Sequence, residues 1–279
     1  MPTVELHHAT IHYDAVGPDT GRPIVFVHGY AMGGDLWEPL AARLARRGLR
    51  CLAPTWPLGA HAVPLRPGAD ATLAGVAATV SAFLEALDLT DVVLVGNDTG
   101  GLVAQLVAVH HGARLGALVL TSCDAFEHFP PPVLRPFILA SRHPRTFRAA
   151  LWPLRLPAVR RRAYGDLAHA DVEHLVAAWV RPALADARIA EDTRRLTASL
   201  ERQVSLDVAA RLGEVTVPVL VAWSADDVFF PVADARRLAA AMPRAELRIL
   251  EGARTFAMLD QPDALDEAIA GIAVPAPSA

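Results

Sequence analysis

The apolar run Val92-Val93-Leu94-Val95 stops at Gly96-Asn97-Asp98-Thr99-Gly100-Gly101, and that junction constrains the fold more than any other stretch. An unbroken Val/Leu run reads as a strand buried on both faces. The small residues after it permit a tight turn and close strand–helix packing. A helix is expected from about Leu102 to His111. Such a turn lifts one side chain to the top of the sheet, beside the positive end of a helix. Here that side chain is the Asp98 carboxylate. It could attack carbon without losing a proton first and form an ester, or it could serve only as a helix cap.

The surrounding sequence repeats the pattern. Ile24-Val25-Phe26-Val27 runs into His28-Gly29-Tyr30, then Gly33, Gly34 and an amphipathic stretch near Asp35–Arg47. Downstream, Val219-Leu220-Val221-Ala222-Trp223 precedes Ser224-Ala225-Asp226-Asp227-Val228-Phe229-Phe230-Pro231. Residues 4–15 read as a short hairpin or meander. Further strands are expected near 24–28, 50–55, 92–97, 116–122, 217–223 and 246–250. Helices near 35–47, 70–88, 100–111, 232–242 and 262–273 alternate with them. That alternation predicts a mostly parallel, doubly wound sheet of about eight strands.

In this order and spacing the pieces resemble the α/β-hydrolase superfamily, over most of residues 1–124 and 214–273. An Asp at the elbow is similar to the branch that holds haloalkane dehalogenases, fluoroacetate dehalogenases and epoxide hydrolases. The resemblance implies an α/β-hydrolase fold with a core formed by 1–124 and 213–273 and a helical cap at 125–212. It implies Asp98 as nucleophile and Asp227, or the adjacent Asp226, as the orienting acid. The backbone N–H groups of Tyr30 and Thr99 become oxyanion donors. His28 supports their loop and is counted with Trp37 and Tyr164 among the pocket residues, and the Tyr30 and Trp37 rings shape the pocket wall.

The same comparison exposes a departure. The family's histidine base follows the last strand, and in Glu251-Gly252-Ala253-Arg254-Thr255-Phe256 that position holds Thr255. A hydroxyl does not titrate near neutral pH and is no general base there. His128, just past the strand ending Thr121-Ser122-Cys123-Asp124, is the candidate for a relocated base, with Asp124 beside it. Thr99 stands where haloalkane dehalogenases usually carry a Trp that binds the departing halide. Epoxide hydrolases use a pair of cap tyrosines; Tyr164 is the only one in 125–212.

Composition narrows the function classes. Net charge is −4, so no overall pull toward nucleic acid or anionic membranes is expected. All 26 basic residues are Arg, which excludes a lysine Schiff base. The segment 125–212 holds 14 of them. Its Arg160-Arg161-Arg162 and Arg194-Arg195 read as solvated helix faces or as a positive rim. Helical periodicity there falls near 133–141, 146–151, 172–179 and 190–204. Cys51 and Cys123 close apolar runs and read as buried thiols. No metal-ligand spacing and no dinucleotide or phosphate-loop order is present, so neither metal nor cofactor is expected. Without a signal peptide or a long uncharged span, a cytoplasmic protein with a small-molecule substrate is expected. The tail 274–279 is expected to be disordered.

These readings leave two functions. One is a small-molecule hydrolase of the Asp-nucleophile type, acting on a carbon–halogen bond or an epoxide, impaired or using a non-standard base. The other is a non-hydrolytic protein of this fold, binding a small ligand or moving a proton through Asp98.

Overall fold

The computed structural model describes residues 1–274. Beyond Val274, the tail expected to be disordered lies outside the described residues. Eight strands form one sheet: β1 (Thr3–Glu5), β2 (Thr10–Val16), β3 (Pro23–Val27), β4 (Arg50–Pro54), β5 (Val92–Asp98), β6 (Leu115–Cys123), β7 (Val219–Ser224) and β8 (Ala245–Leu250). Their order is β1-β2-β4-β3-β5-β6-β7-β8. β1 and β2 pair antiparallel, as do β2 and β4; all later pairings are parallel. The carboxyl ends of β3, β5, β6, β7 and β8 therefore share one edge, where open α/β sheets bind ligands.

Alternation along the central strands divides the core. Val25, Val27 and Leu94 pack with helices Leu73–Ala86 and Thr99–His110. Ile24, Phe26, Val93 and Val95 pack with helices Glu38–Arg46 and Pro262–Ala273. Both faces are covered, which is why these strands are continuous apolar runs. Cys51 and Cys123 are buried free thiols.

Between β6 and β7 the described chain is helical, with no strand. The stretch expected as one helix at 190–204 is two, Ala187–Ala198 and Arg202–Ala209. Glu201 is extended between them (φ −126°, ψ 141°), and the Ser199 hydroxyl turns back onto the Leu196 carbonyl at 2.7 Å. Arg160–Arg162, read from the sequence as a solvated helix face or a positive rim, lie on helix Pro157–Tyr164, which the apolar periodicity alone does not mark.

Candidate active site

Asp98 ends β5 with φ 54° and ψ −135°, a conformation costly for a non-glycine residue. The glycines around it make the turn possible. A Cβ on Gly100 would overlap the carbonyls of Val27 and His28, and one on Gly29 would overlap the Asp98 carboxylate itself. The loop after β3 thus packs directly on the elbow. Asp98 Oδ1 accepts the Thr99 N–H at 2.6 Å and the Tyr30 N–H at 3.3 Å. The two amides expected from the sequence converge on this one oxygen.

His28 is buried beneath that loop. Its Nε2 accepts the Trp56 N–H at 2.8 Å, so Nδ1 carries the proton toward the Gly29 carbonyl, 2.9 Å away. Burial lowers its pKa to about 4, which keeps the ring neutral. His28, expected among the pocket residues, is instead a fully buried brace for the loop and does not line the cavity.

A cavity of about 120 Å³ opens above Asp98. Tyr30, Thr99 and Tyr164 line it, with Phe137, Leu154, Trp179 and Phe229 among its apolar neighbours. Burial in these walls pushes Asp98 up to about 6, against the pull of its two N–H donors. The Tyr30 hydroxyl lies 2.6 Å from Thr197 Oγ1, and the Tyr164 hydroxyl donates to the Ala31 carbonyl at 3.3 Å. Burial raises Tyr30 to about 12 and Tyr164 as well, so both phenols stay protonated. The Trp179 indole N–H is engaged by Asp35 at 2.5 Å.

Asp124 lies behind the elbow, 2% exposed. It accepts the Thr99 hydroxyl at 2.8 Å, and its N–H donates to the Asp98 carbonyl at 3.2 Å. Burial first, then the nearby Asp98 charge, pushes its pKa well above the usual carboxylate range. The sequence placed Asp124 with His128. The parallel β5–β6 register instead sets Asp98 opposite Cys123 and brings Asp124 to Thr99.

The loops after β7 and β8 differ. Asp227 Oδ1 accepts the N–H groups of Phe229 and Phe230 at 2.8 and 2.9 Å. Burial raises its pKa, and the Thr255 and Ser122 hydroxyls lie near enough to favour its charge. Yet Asp227 Oδ2 and Thr255 Oγ1 are both buried without a hydrogen-bond partner, as are Ser224 Oγ and Asn97 Oδ1. The hydroxyls lie near Asp227, but no hydrogen bond closes. Thr255 is held by its backbone, whose carbonyl accepts Asn97 Nδ2 at 2.8 Å. Asp226 is turned outward to His169, 3.3 Å away, which leaves Asp227 as the buried acid of the pair.

Two further expected site residues are corrected. His128 does not line the cavity; its Nδ1 is 2.6 Å from Asp234 Oδ2 on helix Val232–Ala241, and half of the ring is exposed. Trp37 is fully buried in the core, stacked on Phe26 with ring centroids 4.8 Å apart, and does not reach the cavity. Sequence reasoning also missed a buried contact between His61 and Asp192, 3.4 Å apart, which no local motif signals. Among the described residues there is no cluster of His, Cys, Asp and Glu able to hold a metal. No helix among them is long and apolar enough to cross a membrane.

The alpha/beta hydrolase family model matches residues 24–268, which spans both site halves and the helical segment between them. The chain belongs to this family. A non-heme chloroperoxidase of Streptomyces lividans is 30% identical over 285 residues, covering 95% of this chain and 97% of that one. An alpha/beta hydrolase fold protein from Burkholderia ambifaria superposes with a TM-score of 0.80 at 20% identity, covering 96% of each chain. A "putative ancestral haloalkane dehalogenase" gives a TM-score of 0.78 at 20% identity, covering 97% of each. At that identity the solved structures speak for the alpha/beta hydrolase fold alone.

Proposed function

We propose that Asp98 is the carbon-attacking nucleophile of a small-molecule hydrolase, that residues 125–212 form the cap over it, and that the chemistry stalls at the covalent ester. The observation that carries this reading is the pair of backbone N–H groups on one oxygen of Asp98. With Oδ1 held in that way, Oδ2 is the oxygen left to attack. The same donors then hold the ester carbonyl oxygen, in a geometry fixed before the reaction. Substrates are epoxides or alkyl halides with an apolar body, matching the cavity walls.

The lining favours the epoxide. When Asp98 Oδ2 attacks a ring carbon, the carbon–oxygen bond breaks and the leaving oxygen needs a proton. The Tyr164 hydroxyl, protonated and at the cavity wall, can give it one. A departing halide wants a free N–H donor, and the Trp179 indole is committed to Asp35. The product of this step is a hydroxyalkyl ester on Asp98. Its hydrolysis requires a base on water, and Thr255 supplies none.

Incubation with 1,2-epoxyoctane and 1-bromooctane, followed by intact-mass measurement, tests this reading. One adduct per chain is expected, absent in Asp98→Asn. If neither reagent leaves an adduct or is turned over, Asp98 is not a nucleophile. The raised pKa of Asp98 in an apolar cavity supports one alternative, a proton-transfer role in a lyase or isomerase step.

A further inference from the structure

From Phe129 to Gly165 the chain carries eight arginines and not one Asp or Glu. Arg160 is spoken for by Glu173 and by the carbonyls of Leu154 and Arg155. Arg145, Arg148 and Arg155 make no ion pair or side-chain hydrogen bond among the described residues. Arg145 and Arg148 lie three apart on helix Pro144–Leu151, hence on one side of it, and Arg155 closes the turn that follows. The three line an open groove of about 560 Å³ together with Trp152, a large apolar side chain left 56% exposed.

The position of the groove separates it from an ordinary solvated helix face. Leu151, Ala183 and Leu184 line both the groove and the cavity over Asp98. The cavity and the groove thus adjoin at these residues. The cavity is lined mainly by apolar side chains, and the groove beside it presents three guanidinium groups that no described carboxylate neutralises. Guanidinium forks match the geometry of carboxylate and phosphate oxygens, and an indole face covers an alkyl segment well.

We propose that this groove is the subsite for an anionic group, a carboxylate or phosphate monoester, of an amphiphilic substrate whose apolar body lies in the cavity over Asp98. The proposal rests on the reading of that cavity as the substrate pocket. It does not require that Asp98 react, so binding tests it separately from catalysis.

Calorimetry on the wild type and on Asp98→Asn, with n-octanoate, n-octyl phosphate, n-octanol and inorganic phosphate, decides the matter. Both octyl anions are expected to bind about tenfold or more tightly than octanol, with nearly equal results for the two proteins. That advantage should shrink as NaCl rises from about 50 to about 500 mM. Arg145→Gln with Arg148→Gln, both exposed, should erase it while leaving octanol binding unchanged. Equal affinity for octanol and the anions overturns the proposal. So does inorganic phosphate binding as tightly as octyl phosphate, which would detach the groove from the cavity. Arginine-dependent binding to phosphatidylglycerol vesicles, with no preference among the soluble probes, would make the groove a membrane contact and overturn it as well. The salt dependence in wild type stands even if the double variant folds poorly.

Discussion

The turn after β5 and the loops after β7 and β8 meet at one edge of the sheet, and they treat their polar atoms in opposite ways. At the turn, Asp98 Oδ1 has two N–H donors and the Thr99 hydroxyl has Asp124. Across the site, Asp227 Oδ2, Thr255 Oγ1 and Ser224 Oγ are buried and unpartnered. Leaving such a group unsatisfied costs about 1–3 kcal/mol. One half of the site is organised for charge before any substrate arrives. The other half is a polar recess whose buried oxygens have no hydrogen-bond partner. On the function proposed above, the difference would separate two chemical steps, formation of an ester on Asp98 and its hydrolysis.

The strongest way to break this contrast is to damage the organised half. In Gly29→Ala the new methyl overlaps the Asp98 carboxylate and pushes the Tyr30 amide away. Displacing the attacking carboxylate by about 1 Å costs about 10²-fold in rate. Ester formation in Gly29→Ala, followed by intact mass, should fall by that much while far-UV circular dichroism is unchanged. A rate within a few-fold of wild type would detach the Tyr30 amide from the chemistry.

A smaller effect comes from pH. In the proposed mechanism only the ionised Asp98 attacks, and burial pushes its pKa up to about 6. Ester formation should therefore level off above pH 7 and fall about tenfold for each unit below 6. Thermodynamically the sign is opposite. The folded state holds the Asp98 proton more tightly than the unfolded chain, so stability from this group declines as pH rises between the ordinary carboxylate range and about 6. A rate that stays flat down to pH 4 would place Asp98 in a far more polar setting.

The smallest change concerns the link behind the elbow. Thr99→Val removes the hydroxyl that Asp124 accepts and leaves a buried carboxyl without its side-chain donor. A loss of about 1–3 kcal/mol in urea unfolding is expected, with the Thr99 N–H and therefore the ester step largely kept. A neutral effect on stability would show that Asp124 finds another partner.

Much of the architecture was legible because burial writes itself into composition. Val92–Val95, Ile24–Val27 and Val219–Trp223 are apolar on both sides, and the structure covers both sides. The elbow and its two amides were legible because they follow from backbone at fixed offsets from Asp98 and His28. Depth was not. Trp37 sits on a helix edge that the sequence places near the site, but its ring turns to Phe26 in the core. His128 lies close in chain to the sheet edge, yet it faces Asp234 more than a hundred residues away. Asp124 needed the β5–β6 pairing before its partner could be Thr99. Contacts of that kind depend on strand order, which no local spacing records.

The lifetime of the Asp98 ester tests the contrast most directly. The 1,2-epoxyoctane adduct is formed on wild type and on Thr255→His, excess reagent is removed, and decay is followed by intact mass. Asp227 Oδ2 is free to orient an imidazole at position 255, and general-base assistance is worth about 10²–10⁴-fold. The expected result is a long-lived adduct on wild type and decay faster by at least about 10² in Thr255→His. A wild-type adduct that decays within one assay dead time, unaffected by the substitution, would show that a base operates here and contradict the account.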